Sequence, residues 1–197
     1  MRIRSPGRGD ALLVVDVQKD FLPGGALAVP DGDAVIPPLN EVLRAFSEAG
    51  LPIFATRDWH PPDHCSFVEQ GGLWPLHCVA GTSGAAFAAS LRLPASTVVI
   101  SKADNPAAEA YSAFSGTNLA DRLADRGVGR VFAGGLATDY CVLRTVLDAR
   151  AAGLDVVVLD DAVRAVDVET GDGALAIARM RAAGAVFAST RTVLAEE

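Results

Sequence analysis

All three histidines of this 197-residue chain lie between positions 60 and 77, and an aspartate precedes the first of them by two residues. His60 and His64 belong to the segment DWHPPDH, which begins at Asp58, and His77 follows in WPLHC. Neutral imidazole and carboxylate groups are good ligands for Zn²⁺, Fe²⁺ or Mn²⁺. One aspartate and three histidines would leave coordination positions open for water or a substrate. The four side chains therefore predict an open metal site, and the alternative is that they are unrelated surface residues.

Cys141 ends the segment GGLATDYC, which starts at Gly134 directly after a short apolar stretch. The glycines end a strand and Thr138 is suited to an N-cap, so the cysteine is expected in the first turn of a helix. The helix dipole and the free N–H groups at that position favour a thiolate and can stabilise an oxyanion. Cys141 is thus a candidate nucleophile, and the alternative is a small buried side chain in the core.

A carboxylate and an ammonium stand at the ends of two other apolar stretches. Asp16 closes ALLVV, and Lys102 directly follows TVVIS. A partly desolvated aspartate can act as a base, whereas its alternative role is a turn acceptor for the next loop. Lys102 can balance charge beside it, and the alternative is a solvated loop lysine. Together with Cys141 they supply a base, a cation and a nucleophile, which suits amide hydrolysis through a covalent thioester.

The elements that must position these residues alternate between strand and helix. Short, β-branched apolar stretches predict strands, and amphipathic stretches that end near glycine predict helices. The predicted strands are residues 11–17, 52–56, 97–101, 130–134, 155–159 and 185–188, and the predicted helices are residues 33–49, 117–126, 139–152 and 169–183. Unbroken apolar strands that alternate with helices predict a single-domain, three-layer α/β fold, Rossmann-like, with a six-stranded parallel sheet and helices on both faces. The predicted domain is residues 1–197.

The carboxyl ends of the strands are where this fold class binds ligands. Four predicted strands deliver Asp16, the pair Asp58 and His60, Lys102 and Cys141 to that same edge of the sheet. Residues 57–96 have little regular pattern, and a loop that long inside a compact domain is usually functional. The coincidence on one edge is the main argument for an active site there.

Composition excludes several classes of protein. The chain has 17 basic and 24 acidic residues, which gives a formal net charge of −7 without any basic cluster. Nucleic acids and anionic membranes need clustered Lys and Arg, so neither is expected as a partner. No apolar stretch reaches the roughly 18 residues of a membrane span, and the start of the chain lacks a signal-peptide core. Three separated cysteines make no even disulfide set and indicate a reducing, cytoplasmic compartment, with Cys65 and Cys78 as packing residues.

Five segments, in order, resemble the motifs of the nicotinamidase/pyrazinamidase family within the isochorismatase-like (cysteine hydrolase) superfamily. They are VVDVQKDFLPGGALAV (14–29), TRDWHPPDHCSF (56–67), WPLHCVAGT (74–82), SKADNPAAEAYSAF (101–114) and GGLATDYCV (134–142). The resemblance covers nearly the whole chain and implies the isochorismatase-like version of the predicted fold. Cys65 and Leu76 depart from the residues that relatives often carry beside their histidines.

The resemblance implies a role for each motif residue. The implied catalytic triad is Asp16, Lys102 and Cys141. The implied metal ligands are Asp58, His60, His64 and His77. The implied substrate-binding residues are Phe21, Trp74, Tyr111, Leu136 and Ala137, of which the last two would flank the family's cis peptide bond. The implied oxyanion hole is formed by the N–H groups of Ala137 and Cys141.

The implied activity is metal-dependent hydrolysis of nicotinamide to nicotinate and ammonia through a cysteine thioester. Pyrazinamide is an expected further substrate, and NAD salvage is the implied pathway. The expected cofactor is one divalent metal ion, with zinc first and iron or manganese as alternatives. The expected partner is the small-molecule substrate, and the sequence leaves the oligomeric state open, with a homodimer among the options.

Other functions stay open at this point. Another amidase of the superfamily, acting on a carbamoyl, ureido or small amide substrate, would share the Asp–Lys–Cys set but generally lack the aspartate–histidine cluster. The isochorismatases themselves lack the cysteine. A non-catalytic module, in which zinc only ties down the long loop, leaves the Asp–Lys–Cys set without a role. A redox-sensing cysteine protein would need a second cysteine in a C-x-x-C pair.

Overall fold

Six parallel strands form the central sheet of this protein, whose structure is a computed structural model that describes residues 4–195. The strands are β1 (Asp10–Val15), β2 (Ile53–Asp58), β3 (Val98–Lys102), β4 (Arg130–Leu136), β5 (Asp155–Arg164) and β6 (Val186–Ala188). They are ordered β3-β2-β1-β4-β5-β6, and every neighbouring pair is parallel. The predicted domain also includes residues 1–3 and 196–197, which lie outside the described residues.

Five helices cover the sheet on both of its faces. They are α1 (Ile36–Glu48), α2 (Leu119–Ala124), α3 (Leu143–Ala151), α4 (Asp172–Ala182) and α5 (Thr190–Leu194). Alternate residues of β1 divide between two buried clusters, because side chains along a strand point to opposite faces. Leu12 and Val14 pack in the cluster with α1 and α5, whereas Leu13 and Val15 pack in the cluster with α2, α3 and α4. The predicted three-layer fold is confirmed.

Helix α1 shows how the sequence sets an element boundary. A short 3₁₀ turn, Gly32–Val35, precedes it, so the α-helix begins at Ile36 rather than at the predicted residue 33. Pro37 and Pro38 occupy its first turn, where a missing N–H costs no hydrogen bond. Its apolar stripe is fully buried against the sheet, through Leu39, Val42, Leu43 and Phe46.

The strand order reverses between β1 and β4, so a crevice opens beyond their carboxyl ends, which is where such sheets bind ligands. The two strands approach closely at this point. Gly135 has φ +130°, and a Cβ there would lie 2.0 Å from the carbonyl oxygen of Val15, so only glycine fits. The pairing of β4 with β5 shifts register at Ala133 and Gly135, and β5 continues to residue 164 instead of ending at the predicted residue 159.

The segment that carries Cys141 differs from the single helix predicted over residues 139–152. Residues Thr138–Val142 form a π-helical turn, and the α-helix begins only at Leu143. Turns of this kind occur frequently at functional sites. The short helix α5 was absent from the prediction, although its start carries a recognisable cap: Ser189 Oγ accepts a hydrogen bond from the N–H of Thr192 at 3.2 Å.

The long connection after β2 folds back on itself and on the end of β1. Isolated bridges join Gln18 to Phe87, His60 to Val79, and Phe67 to Trp74. These bridges fix the loop against the carboxyl edge of the sheet, where the predicted site residues lie. Within residues 4–195, no helix has the length and apolar character needed to cross a membrane.

Candidate active site

Lys102, the last residue of β3, lies at the centre of the site. Its Nζ donates to Asp58 Oδ1 at 2.5 Å and lies 3.0 Å from Asp16 Oδ2, 3.4 Å from Cys141 Sγ and 3.2 Å from the carbonyl oxygen of Ala110. Burial alone would lower the pKa of this lysine, but the two carboxylates outweigh burial and raise the pKa well above its usual value. Lys102 is therefore a permanent cation inside the protein.

The two carboxylates beside Lys102 have pKa values that shift in opposite directions. Burial raises the pKa of Asp16, and the attraction of Lys102 offsets only part of this rise. Burial also acts to raise the pKa of Asp58, but Lys102 and then His60 outweigh it and hold the pKa below its usual value. Acid–base roles are commonly divided between groups whose environments separate their pKa values. Asp16 is thus suited to take and return a proton, and Asp58 to stay anionic.

Asp16 is held by the neighbouring strand. It follows β1 directly, has φ +49°, and is fully buried. Its Oδ1 accepts a hydrogen bond from Thr56 Oγ1 at 2.6 Å, and its N–H donates to the carbonyl oxygen of Thr56 at 3.2 Å. These contacts leave Oδ2 facing Lys102, so the carboxylate has one fixed oxygen and one that faces the reactive groups.

The thiol of Cys141 lies next to this carboxylate. One carboxylate oxygen each of Asp16 and Asp58, and the Sγ of Cys141, lie within 4.8 Å of one another. Burial raises the pKa of Cys141 well above its usual value, and Lys102 lowers it only in part. Burial therefore acts against the thiolate that a position at the start of a helix would favour. A thiol beside a raised-pKa aspartate needs that aspartate as its base.

A second group of donors, on the other side of Asp58, fits a divalent cation. Asp58, His60 and His77 each offer one ligand atom, and these atoms lie within 4.8 Å of one another. His60 Nδ1 lies 3.2 Å from the carbonyl oxygen of Ala103, and His77 Nδ1 lies 2.7 Å from that of Pro75. A carbonyl can only accept, so each ring carries its proton on Nδ1 and keeps the Nε2 lone pair free.

The hydrogen bonding and the pKa of His60 also support a site for a divalent cation. Its Nε2 is buried and has no hydrogen-bond partner among residues 4–195, and it lies 3.8 Å from Asp58 Oδ2. Burial lowers the pKa of His60 to about 4, although the carboxylate of Asp58 acts to raise it. A buried, unpartnered, neutral imidazole nitrogen beside an anionic carboxylate is the donor that a divalent metal requires.

His64, the fourth predicted metal ligand, lies beside this group of donors but is not among the three residues whose ligand atoms lie within 4.8 Å of one another, so its role as a ligand stays a prediction. The His64 ring does lie against that of His60, with a centroid distance of 4.3 Å. However, its Nδ1 accepts the N–H of Ser66 at 3.2 Å, and its Nε2 lies 3.2 Å from the carbonyl oxygen of Ala108. The tautomer that satisfies both contacts carries its proton on Nε2, so in this arrangement His64 offers no free lone pair to the donor group.

A small cavity opens beside both groups. Its walls are mostly aromatic and aliphatic. The lining residues are Phe21, Leu27, Val29, Asp58, Trp74, His77, Tyr111, Ala137, Tyr140, Cys141 and Val166. Four of the five predicted substrate-binding residues thus line one pocket.

Leu136 is the exception among the predicted pocket residues. It is the last residue of β4, fully buried, and its side chain belongs to the core cluster with α1. The peptide bond that joins it to Ala137 is cis, as the resemblance implied. Ala137 reaches the pocket and its carbonyl oxygen accepts the N–H groups of Tyr140 and Val142, at 3.1 and 3.0 Å. The predicted oxyanion donors therefore belong to one tight turn next to Sγ.

Three aromatic side chains close one wall of the pocket. Trp74 Nε1 donates to Tyr111 Oη at 2.9 Å, and Tyr140 packs edge-on against Trp74 with a centroid distance of 5.1 Å. Sequence reasoning found Trp74 and Tyr111 but missed Tyr140, together with Leu27, Val29 and Val166. Tyr140 could have been found from its position directly before Cys141, whereas Val166 lies outside every motif.

Comparison with known proteins gives consistent relatives. The sequence model of the isochorismatase domain matches residues 10–192. A nicotinamidase of Escherichia coli (strain K12) is 40% identical over 198 residues, which cover 90% of this chain and 93% of that protein. The crystal structure of a pyrazinamidase of Pyrococcus horikoshii in complex with zinc is 50% identical, with a TM-score of 0.88, and covers 92% of this chain and 99% of its own. That of PnC1 from L. infantum, in complex with nicotinate, is 37% identical, with a TM-score of 0.89 and full coverage of both chains.

Proposed function

We propose that this chain, which belongs to the isochorismatase domain family, is a nicotinamidase that hydrolyses nicotinamide to nicotinate and ammonia, and pyrazinamide likewise. The observation that carries the proposal is the shared carboxylate of Asp58. It lies between a buried Asp–Lys–Cys set on one side and a histidine pair suited to a metal on the other. One aromatic-lined pocket contacts both sides, through His77 and Cys141, so a small heteroaromatic amide bound there would meet a metal and a nucleophile together.

In the proposed reaction, Cys141 is the nucleophile and Asp16 is its base. Asp16 takes the thiol proton, and Sγ attacks the carboxamide carbon to give a tetrahedral oxyanion. The C–N bond then breaks, and Asp16 returns its proton to the leaving ammonia, which leaves a thioester on Cys141. Asp16 then takes a proton from water, the resulting hydroxide attacks the thioester carbon, and the C–S bond breaks; Asp16 returns this second proton to Sγ, and the released acid ionises to nicotinate. Each proton that Asp16 accepts is returned, so the enzyme ends as it began.

Two further features would stabilise the negative charges that form during this reaction. Lys102 contacts both carboxylates and the sulfur, so it limits the repulsion between a forming thiolate and two nearby anions. We assign the oxyanion hole to the N–H groups of Ala137 and Cys141. Loss of one such donor typically costs about 3 kcal/mol of barrier.

We assign the metal-binding role to Asp58, His60 and His77, and a positioning role to His64. A divalent cation held there would act as a Lewis acid with open positions, able to hold the pyridine ring nitrogen or a water molecule. Zinc is the proposed ion, on the analogy of the zinc-bound pyrazinamidase, with iron or manganese as alternatives. Phe21 and Trp74 would pack on the substrate ring, and Tyr111 would support Trp74 through their hydrogen bond.

We further propose a cytoplasmic location and a role in NAD salvage. The three cysteines are free in the structure, and Cys141 must remain a thiol, which a reducing compartment provides. The formal charge of −7 disfavours nucleic acids and anionic membranes as partners. A homodimer stays a possible assembly that sedimentation would test.

Ammonia release from nicotinamide tests the proposed function directly. The Cys141→Ala variant should lose activity by roughly 10⁴-fold or more, because no other group in the pocket can form the thioester. Metal content, measured in the same preparation, should be unchanged. Substantial turnover by that variant would sink the nucleophile assignment. Turnover of a carbamoyl or ureido substrate in preference to nicotinamide would instead favour the related amidases.

A further inference from the structure

We propose that Asp20 is a positioning residue that fixes the metal donor His77 and the pocket wall at Phe21 in one arrangement. The inference rests on the proposed function in one respect, namely that Asp58, His60 and His77 bind a divalent cation. Asp20 itself does not line the cavity. Its role follows from the segments that its carboxylate and its backbone join.

The carboxylate of Asp20 fixes the backbone directly after His77. Its Oδ2 accepts the N–H of Cys78 at 2.7 Å, and that N–H belongs to the peptide unit between His77 and Cys78. Cys78 has φ +47°, a left-handed conformation that a residue with a side chain rarely adopts. A strong hydrogen bond at this peptide therefore determines the direction in which the His77 side chain leaves the chain.

The backbone of Asp20 holds the opposite wall of the pocket. Its N–H donates to the carbonyl oxygen of Gly84 at 3.1 Å, and its carbonyl oxygen accepts the N–H of Leu27 at 2.9 Å. Leu27 lines the cavity, and so does Phe21, the residue that directly follows Asp20. The ring of Phe21 lies 5.7 Å from that of His77, centroid to centroid. One residue thus joins the substrate wall to a metal donor.

Gly84 provides an independent sign that the carboxylate is seated in a specific place. A Cβ at this position would lie 2.1 Å from Asp20 Oδ2, and the other nearest atoms also belong to the Asp20 carboxylate. The carboxylate therefore occupies the space that a side chain at position 84 would fill. Any residue other than glycine there must displace Asp20, although Gly84 contacts neither the cavity nor the metal donors.

The charge of Asp20 has no cationic partner in the described residues. Asp16 and Asp58 pair with Lys102, whereas no Lys or Arg within residues 4–195 lies within ion-pair distance of Asp20. Backbone N–H groups satisfy it instead, that of Cys78 and, at 3.4 Å, that of Ala26. An anion without a cationic partner next to His77 favours a cation at the donor group, in addition to its geometric effect.

Cobalt binding to the metal-free protein tests this role, with Co²⁺ as the probe and its visible absorption as the readout. The Asp20→Ala variant should bind Co²⁺ about 10–100-fold more weakly, the usual effect of losing a residue that orients a ligand. Asp20→Asn keeps one acceptor oxygen and should give a smaller loss. Gly84→Ala should weaken Co²⁺ binding as well, because it displaces the same carboxylate. With saturating Co²⁺, KM for nicotinamide should rise more than kcat falls.

Asp161→Ala is the matched control. Asp161 is also a half-buried carboxylate that holds a backbone segment, since it accepts the N–H of Thr190 at 2.9 Å and the Thr190 hydroxyl at 2.6 Å. Its loss should lower the Tm without changing Co²⁺ affinity. Folded Asp20→Asn and Gly84→Ala variants with wild-type affinity would overturn the inference. Failure of the wild-type protein to bind Co²⁺ would overturn the proposed metal site, and with it this role; failure to hydrolyse nicotinamide alone would count only against the proposed activity.

Discussion

Each side of the pocket contains a buried aspartate, and the pKa values of these two aspartates are shifted in opposite directions. On the nucleophile side, burial raises the pKa values of Asp16 and Cys141, so both hold protons more tightly than usual. On the metal side, the pKa values of Asp58 and His60 are lowered, so both present free lone pairs. Lys102 contacts both aspartates, at 3.0 and 2.5 Å. For the two buried aspartates, the charges that face each carboxylate decide whether its pKa lies above or below its usual value.

The charged groups that face Asp16 and Asp58 come from separate parts of the chain. Asp58 has Lys102 at the shorter distance and also faces His60, so two groups favour its anion. Asp16 faces Lys102 with one oxygen, but the charge of Asp58 repels its own anion and acts to raise its pKa. The anionic state of Asp58 therefore helps to keep Asp16 basic, and the two sides are electrostatically dependent on each other.

Removal of the Asp16 carboxylate, the proposed base, should impair the nucleophile side of the pocket and leave the metal side unchanged. Asp16→Asn keeps the side-chain shape but cannot accept the thiol proton, so kcat should fall by about 10²–10⁴-fold. Co²⁺ affinity of the same variant should stay close to wild type, because the metal donors are unchanged. Asp58→Asn is the reciprocal control and should lose Co²⁺ binding. Equal loss of Co²⁺ binding in both variants would show that the two sides are not separable.

Two histidine variants should show which of the histidines bind the metal. His60→Ala removes a free Nε2 donor and should weaken metal binding by more than the roughly 10–100-fold typical of residues that only orient a ligand. His64→Ala removes a ring whose nitrogens already bond to Ser66 and Ala108, so its effect on affinity should fall within or below that range. Isothermal titration of both metal-free variants with Zn²⁺ gives the measurement. Equal losses would restore His64 to the ligand set.

The pH dependence of unfolding should show the smallest effect, with opposite signs on the two sides. His60 has an ordinary pKa of 6.5 and a folded value of about 4, so its contribution to stability is complete above pH 6.5 and is lost as pH falls toward 4. Asp16 has a folded pKa raised above its ordinary 3.8, so its contribution is complete below 3.8 and is lost as pH rises through the folded pKa.

Urea unfolding of metal-free protein between pH 4 and pH 8 measures both contributions. Relative to wild type, His60→Gln should lose less stability on acidification from pH 6.5, and Asp16→Asn should lose less as pH rises from 4. Identical shifts from the His60 and Asp16 variants would contradict the opposite signs.

Much of this molecule follows from local sequence pattern. Apolar β-branched runs such as ALLVV predict strands because a parallel sheet covered on both faces buries both sides of each strand. The alternation of strands with helices then brings Asp16, Asp58, Lys102 and the Cys141 loop to one edge. Boundaries were less accurate: the helix predicted from residue 139 begins at Leu143, after a π-helical turn that no local periodicity indicates.

The sequence by itself determined the fold class, the motif residues and the edge of the sheet where they meet, since these depend on residue type and spacing along the chain. The tertiary structure alone decided that His64 Nε2 lies against the carbonyl oxygen of Ala108, that Leu136 packs in the core, and that Tyr140 and Val166 line the pocket. It also decided that the pKa of Asp16 is raised and that of Asp58 is lowered. The physical reason is that ligand availability and pKa depend on burial and on charges that arrive from distant segments, which spacing along the chain does not encode.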